Sequence, residues 1–223
     1  MTRSLDPDWI YFLREFELLY HSGSAGGSAP IRSHMRQVRA RIARLLHHPT
    51  TFTPRDPWTL PVVSHWARAV DLALVERTAT LARVLDRLAP TFSWEYGYAK
   101  VPSNLRQSYG FTELVGPRGP VQSQDLILGL VLFAPRCTYP QHRHGGITES
   151  YIVVSGHVSE NDVGVYAPSS LIYNPPGYGH RITTAARTPC LLAYAWVGEP
   201  DHLAEPHMAF ERSKRNAAPQ HTG

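Results

Sequence analysis

The sequence is poor in cysteine and has no long apolar run. Its 223 residues include two cysteines, Cys137 and Cys190, which are too few for a disulfide framework in a chain of this length, so we expect two buried thiols. No segment approaches the roughly 20 apolar residues that span a bilayer. Charged residues such as Asp6 and Arg14 interrupt the first thirty positions, which lack the pattern of a secretion signal. We therefore expect a cytoplasmic protein with no membrane association.

Lysine is also scarce, and this bears on the positive charge. The formal net charge of +4 comes mostly from arginine, since Lys100 and Lys214 are the only lysines. The densest run of arginines, within residues 32–44, alternates with apolar residues such as Met35 and Val38 at helical spacing. Such alternation is typical of a solvated helix face. The sequence therefore predicts no nucleic-acid partner.

Residues 1–90 have the pattern of a helical region. Asp6 is placed to cap a helix that begins at Pro7, and a second helix is predicted over about residues 32–46. A third segment keeps apolar residues at near-helical spacing from Pro61 to Pro90. Apolar faces alone leave open whether this region covers the mouth of a neighbouring domain, forms a homodimer interface, or does both.

After Pro90 the sequence changes to short β-branched and aromatic runs separated by glycine, proline and asparagine, which is typical of antiparallel strands. We predict a β-barrel or sandwich over residues 91–200 and a loose tail over residues 201–223. The candidate strands are Tyr109–Val115, Asp125–Ala134, Glu149–Ser155, Val163–Ala167, Leu171–Tyr173 and Cys190–Val197.

One segment of this region carries residues suited to metal binding. In an extended chain, residues two apart face the same side, so His142 and His144 project together, and Glu149 and Tyr151 do likewise after a short turn. A third imidazole, His180, follows a turn rich in proline and glycine. Three imidazoles and one carboxylate are ligands suited to one divalent transition metal ion, Fe(II), Mn(II), Zn(II), Ni(II) or Co(II), with positions left open for a substrate.

A single histidine in a strand is more often a hydrogen-bonded polar residue than a ligand. The combination of His142, His144, Glu149 and His180 makes coincidence the weaker explanation. Seven other histidines have no such context, and we expect them at the surface: His21, His34, His65, His157, His202, His207 and His221.

The spacing of these residues resembles the two motifs of the cupin superfamily. His142, His144, Glu149 and Gly156 fall on the first motif, and Pro175, Gly177 and His180 fall on the second. The resemblance implies a C-terminal cupin barrel, and hence a mainly β fold preceded by the helical region. Three outer positions depart from the motifs: Arg136 and Ser169 replace glycines, and Thr184 replaces an asparagine.

Within that superfamily the chain is similar to the bacterial dimethylsulfoniopropionate (DMSP) lyases from about Tyr109 to Trp196. The similarity includes the stretches 112–117, 149–156 and 192–196. It implies cleavage of a small zwitterionic substrate to dimethyl sulfide and acrylate, with Tyr151 as catalytic base. It also implies a catalytic position for Tyr139, a few residues before the ligand histidines.

The sulfonium of such a substrate would suit aromatic faces, which attract a cation without hydrogen-bonding to it. We predict four substrate-binding aromatics, for which ordinary core packing is the alternative: Tyr173, Tyr178, Tyr194 and Trp196. Two other functions stay open for the same ligands: another cupin enzyme, such as an Fe(II) dioxygenase or an isomerase, and a ligand-binding sensor.

Overall fold

The computed structural model describes residues 5–22, 27–97, 101–206 and 208–210, in which helices precede a sheet-rich domain. The helices are α1 (Pro7–Ser22), α2 (Ala29–His47), α3 (Trp66–Ala73), α4 (Ala79–Leu88), α5 (Ser103–Arg106) and α6 (Pro200–Ala204), with short 3-10 turns at Pro61–His65 and Ala89–Thr91. None of the described helices is both long and apolar enough to cross a membrane.

The first helix begins at the residue that the sequence predicts. The side chain of Asp6 accepts a hydrogen bond of 2.9 Å from the backbone N–H of Asp8, and Pro7 occupies the first helical position, where its missing N–H is of no consequence. The side chains of Phe12 and Phe16, one turn apart, are fully buried. The capping residue and the apolar face therefore both contribute to placing α1.

The arginine-rich segment forms α2, as its periodicity predicts. Met35, Val38 and Ile42 are buried, while Arg41 and Arg44 pair with the carboxylate of Asp125 at the start of the sheet region. Part of the positive charge of this helix is thus used in contacts within the chain.

The segment from Pro61 to Pro90 is helical but not continuous. Residues 74–78 form a turn between α3 and α4. Thr78 is buried there, and its hydroxyl donates a hydrogen bond of 2.7 Å to the backbone carbonyl of Val154. The apolar periodicity continues across the turn, so the pattern alone predicted one segment where the structure has two helices.

The strands that the sequence predicts are present, together with five others in the part of the chain that the structure describes. They are β1 (Tyr109–Gly116), β2 (Val121–Gln122), β3 (Leu126–Phe133), β4 (Thr138–His144), β5 (Ile147–Ser155), β6 (Val158–Glu160), β7 (Val165–Tyr166), β8 (Leu171–Asn174), β9 (His180–Thr184), β10 (Cys190–Gly198) and β11 (Met208–Phe210). β11 and α6 lie in or next to the segment for which the sequence predicted a loose tail. Residues 211–223 lie outside the described residues.

Two sheets form the barrel. One has the order β2-β1-β3-β10-β5-β8, and the other has the order β11-β4-β9-β6-β7. Tyr139 and Ile182 of the second sheet share one apolar cluster with Tyr151 and Val153 of the first, so the sheets pack face to face. The prediction of a mainly β cupin barrel preceded by helices is confirmed.

The six-stranded sheet is buried on both faces. In β5, Ile152 and Val154 belong to the cluster that includes the helices, whereas Tyr151 and Val153 point into the barrel. This alternation follows from the two-residue period of a strand. Neighbouring residues of β5 therefore serve different purposes, and every second one faces the helical region.

Two of the residues that depart from the cupin motifs have the backbone conformation that glycine would favour. Arg136 has φ 59° and Ser169 has φ 72°, both in the left-handed region that side chains other than glycine rarely adopt. The two cysteines behave as expected, since Cys137 and Cys190 are buried free thiols.

Candidate metal centre and its cavity

Three histidines converge inside the barrel. β4 pairs with β9 so that His142 lies opposite His180, and their ring centroids are 4.1 Å apart. The ring of His144 lies 5.2 Å from that of His142. One nitrogen from each of the three rings lies within 4.8 Å of the other two, and all three residues are buried. Together they form a cluster that could hold a metal ion.

Glu149 joins this cluster from β5. Its Oε2 lies 2.9 Å from Nε2 of His180, and its Oε1 lies 3.8 Å from Nε2 of His144. The carboxylate is held from both neighbouring strands: Trp196 of β10 donates a hydrogen bond of 2.7 Å to Oε1, and Asn174 of β8 donates one of 3.2 Å to Oε2. The four residues that the sequence predicts as ligands thus lie together.

The ring nitrogens have the arrangement that a metal requires. Nδ1 of His142 lies 3.0 Å from the carbonyl oxygen of Pro140, and Nδ1 of His180 lies 3.3 Å from that of Tyr178. A proton on each Nδ1 would leave the lone pair of Nε2 free to bind a metal. Among the described residues, both ring nitrogens of His144 are buried without a hydrogen-bond partner. Buried polar atoms of this kind call for a ligand, and the site therefore fits a divalent metal.

The pKa shifts within the cluster favour the protonation states that bind a metal, a neutral imidazole and an ionised carboxylate, for most of its members. Burial, helped by the neighbouring His180, lowers the pKa of His142 to about 3, and burial also lowers the pKa of His144. Burial alone would raise the pKa of Glu149, but His180, His144 and His142 outweigh it and hold the pKa well below its usual range. Burial opposes the positive charge of His180 too, yet the adjacent Glu149 raises its pKa above the ordinary value.

A cavity of about 390 Å³ opens beside the cluster. His142 and His144 lie in its wall, and four of the predicted catalytic and substrate-binding residues line it as well. These four are Tyr139, Tyr151, Tyr194 and Trp196. Residues 204–206, at the end of α6 and just after it, also line the cavity.

The two predicted catalytic tyrosines occupy different positions in this cavity. The ring of Tyr151 lies 6.2 Å from that of His180, and burial together with the negative charge of Glu149 raises the pKa of Tyr151 well above its usual value. The ring of Tyr139 lies 4.8 Å from that of His142, and its hydroxyl lies 3.4 Å from the hydroxyl of Tyr109. Both phenols are therefore near the histidines.

Two predicted substrate-binding residues lie away from the cavity. Tyr173 alternates with the inward-facing residues of β8, and its ring lies 5.5 Å from that of His34 on the helical side. Tyr178 is 43% exposed and accepts a hydrogen bond from Asn161. The structure thus separates these two tyrosines from the other predicted site residues.

Asn174, Glu113 and Arg118 are among the cavity or support residues that sequence reasoning missed. Asn174 bridges two carboxylates, since it also donates a hydrogen bond of 2.9 Å to Glu160. Its position immediately before the Pro-Pro-Gly turn was the available signal. Glu113 and Arg118 line the cavity as an ion pair 3.3 Å apart, and Glu113 lies in the stretch 112–117 on which the family resemblance partly rests.

Gly129 lies between Glu113 and Tyr194 in neighbouring strands. A Cβ atom at residue 129 would lie 2.6 Å from the ring of Tyr194 and 2.2 Å from the backbone oxygen of Thr112. The missing side chain therefore gives the Tyr194 ring its place in the cavity.

Comparison with known proteins agrees with the resemblance seen in the sequence. The model of the DMSP lyase family matches residues 33–192. A protein of Cereibacter sphaeroides, named as a candidate dimethylsulfoniopropionate lyase DddL, is 49% identical over 209 residues, which cover 94% of this chain and 90% of that protein.

Two crystal structures share the whole fold. The DMSP lyase DddQ from Ruegeria pomeroyi has a TM-score of 0.69 at 19% identity, covering 92% of this chain and 97% of that one. A chain from the structures of the DMSP lyases RdDddP and RnDddQII has a TM-score of 0.68 at 20% identity, covering 92% and 98%. On the match of the family model and the 49% identical relative, this chain belongs to the DMSP lyase family.

Proposed function

We propose that this chain is a carbon–sulfur lyase that cleaves DMSP to dimethyl sulfide and acrylate by β-elimination. The observation that carries the proposal is the meeting of His142, His144 and Tyr151 in the wall of one cavity, in a chain of the DMSP lyase family. The substrate is a small zwitterion with a carboxylate at one end and a sulfonium at the other. Its cleavage requires a proton to be removed beside the carboxylate.

In this proposal His142, His144, His180 and Glu149 hold one divalent transition metal ion. Fe(II), Mn(II), Zn(II), Ni(II) and Co(II) all accept such a set of nitrogen and oxygen ligands. When bound, the metal would withdraw charge from the substrate carboxylate and favour the phenolate form of a tyrosine beside it.

Tyr151 is the proposed base. Its phenolate oxygen takes the proton from the carbon beside the carboxylate, the electron pair of that C–H bond forms the C=C bond of acrylate, and the C–S bond breaks to release neutral dimethyl sulfide. Tyr151 is 5% exposed, so bulk water has little access to the phenolic oxygen that takes the proton. Tyr139, whose ring lies 4.8 Å from that of His142, is the second candidate for a catalytic phenol.

The remainder of the cavity suits the sulfonium. Tyr194 and Trp196 present neighbouring rings, with centroids 5.5 Å apart, and aromatic faces attract a cation of this type. Among the four predicted substrate-binding residues, these two line the cavity, so we assign them the sulfonium contact. Glu113 adds a carboxylate to the same wall, partly balanced by Arg118.

Incubation of the purified chain with DMSP without oxygen tests this function. We expect dimethyl sulfide and acrylate in equal amounts when the protein is loaded with at least one of the five metals, and loss of both after chelation. Headspace gas and dissolved acrylate are measured in parallel. If no dimethyl sulfide forms above the metal-free control with any of the metals, the lyase proposal fails. A requirement for oxygen would instead favour a cupin dioxygenase.

The hydrogen bond from Trp196 to Glu149 gives a prediction for metal affinity. Trp196→Phe keeps a ring but removes the indole N–H, so one carboxylate oxygen loses its donor. We expect Co(II) affinity to fall by about 10-fold to 100-fold, the usual cost of losing a partner of a metal ligand. Titration with Co(II), followed by absorption, measures this change.

Tyr194→Phe is the matched control, since Tyr194 lines the same cavity and none of the described contacts joins it to Glu149. We expect its Co(II) affinity to stay within about twofold of that of the unchanged protein, because its hydroxyl is assigned neither as a ligand nor as a partner of one. Equal affinities for both variants would show that Trp196 does not support the carboxylate.

A further inference from the structure

A buried polar contact joins the helical region to the strand that carries the candidate ligand and the candidate base. The hydroxyl of Ser150 in β5 lies 2.7 Å from the hydroxyl of Tyr20 in α1 and 2.7 Å from Nε2 of His34 in α2. All three side chains are buried. His34 was predicted at the surface, and this prediction is wrong because its ring is enclosed between the helices and the sheet.

Ser150 stands between Glu149 and Tyr151 and faces the opposite way. The two-residue period of β5 directs Glu149 and Tyr151 into the barrel, so Ser150 points to the helices with Ile152 and Val154. The backbone of Ser150 is paired on both sides, opposite Ala195 of β10 and Tyr173 of β8. The contact with Tyr20 and His34 thus reaches β5 at the residue between its two functional side chains.

This contact resists displacement of β5. A shift of the strand by one residue would turn Glu149 and Tyr151 out of the barrel, and smaller shifts would separate Ser150 from its partners. The three polar groups would then be buried without hydrogen bonds, which is unfavourable in an apolar surrounding. Tyr20 and His34 come from different helices, so they hold Ser150 from two directions.

We propose that Tyr20 and His34 are positioning residues, which act through Ser150 to hold Glu149 and Tyr151 at the metal and the substrate. The inference rests on the proposed function, because it takes Glu149 as a metal ligand. It gives the helical region a part in the reaction beyond packing, since the helices then set the geometry of the site from outside the barrel.

The test compares variants that each lose one polar contact between the helical region and β5. Tyr20→Phe and Ser150→Ala each remove one hydroxyl from the contact between Tyr20, His34 and Ser150. Thr78→Val is the matched control, because Thr78 is also buried and binds β5, but at Val154, five residues from Glu149. Each variant is titrated with Co(II), whose absorption reports the ligand geometry, and the thermal midpoint of the metal-free protein is measured alongside.

We expect Tyr20→Phe and Ser150→Ala to weaken Co(II) binding by about 10-fold and to alter the Co(II) absorption, as the loss of outer partners of metal ligands does. Thr78→Val should lower the thermal midpoint to a similar degree and leave the affinity and the absorption unchanged. If the first two variants bind Co(II) as the unchanged protein does, or if Thr78→Val weakens binding as much, the contact is merely structural and the inference fails.

Glu149→Gln in the same titration separates the two levels of the proposal. If it keeps full Co(II) affinity, the assignment of Glu149 as a ligand is wrong, and the positioning role falls with it. If Glu149→Gln loses affinity while Ser150→Ala does not, the metal site stands and only the positioning role of the helices is refuted.

Discussion

Replacing Tyr151 with phenylalanine is expected to lower kcat for DMSP cleavage by about 1,000-fold, within the range reported for removal of a general base. The variant keeps the ring that fills this part of the cavity, and it removes the one oxygen that our proposal assigns to proton abstraction. The phenol is not among the proposed ligands but hydrogen-bonds Glu149, so Co(II) affinity should fall by no more than about 10-fold to 100-fold, the loss typical of an outer partner, and kcat is compared at saturating metal. The release of dimethyl sulfide and the titration with Co(II) are measured on the same preparation.

Tyr109→Phe serves as the control for this experiment. Tyr109 is also buried in the cavity wall, and its ring lies 4.5 Å from that of Tyr139, but no step of the proposed reaction uses its hydroxyl. We expect its kcat to stay within about 10-fold of that of the unchanged enzyme, less than the loss of a general base. A Tyr151→Phe enzyme that retains more than a tenth of its turnover would exclude Tyr151 as the base, and Tyr139→Phe would then be the next variant to measure.

Replacing His180 with alanine should have the second large effect. It removes one of three nitrogen donors, so we expect Co(II) affinity to fall by more than about 100-fold, beyond the loss typical of an outer partner. It also leaves the carboxylate of Glu149, which is 1% exposed, without its closest positive neighbour. Loss of one partner from a buried pair typically lowers the free energy of unfolding by about 3–5 kcal/mol. Urea unfolding of the metal-free protein measures this second effect.

The same pair gives the pH dependence of the metal-free protein. Because Glu149 raises the pKa of His180 above its ordinary value and the histidines hold the pKa of Glu149 below its own, the pair stabilises the fold fully between about pH 4.5 and pH 6.5. The contribution of His180 is lost as the pH rises through its raised pKa, and that of Glu149 is lost as the pH falls towards its lowered pKa. The His180→Ala variant should lack the loss at rising pH. His157→Ala removes an exposed histidine near the same strands and should behave as the unchanged protein in both the Co(II) titration and the urea unfolding. If it destabilised the protein as much as His180→Ala, this would contradict the role of the pair.

The ligand set could be predicted from the sequence because its information is local. His142 and His144 are two residues apart, and Glu149 follows after one turn, so the period of a strand is enough to bring them together. The supports of Glu149 could not be predicted in this way. The contacts of Trp196 and Asn174 depend on which residues of three strands stand side by side, and a register between strands is set by the whole sheet.

The predicted aromatics show the same limit. Tyr194 and Trp196 share a face of β10 that turned out to point into the cavity, whereas Tyr173 shares its parity with residues that face the helices. The sequence placed all of them near the motifs but gave no means of choosing the face. His34 is the extreme case, because its partner Ser150 is 116 residues away and His34 itself belongs to no motif.

The lack of a side chain at Gly129 allows the ring of Tyr194 to lie against β3. The position has no chemistry of its own, yet the Tyr194 ring occupies the space where a side chain would start. Even the methyl group of an alanine at residue 129 would force the ring of Tyr194 further into the cavity or push apart two paired strands. The absence of a Cβ atom at residue 129 therefore helps to set the width of the cavity. A side chain added at residue 129 would therefore require both the ring of Tyr194 and the backbone oxygen of Thr112 to move.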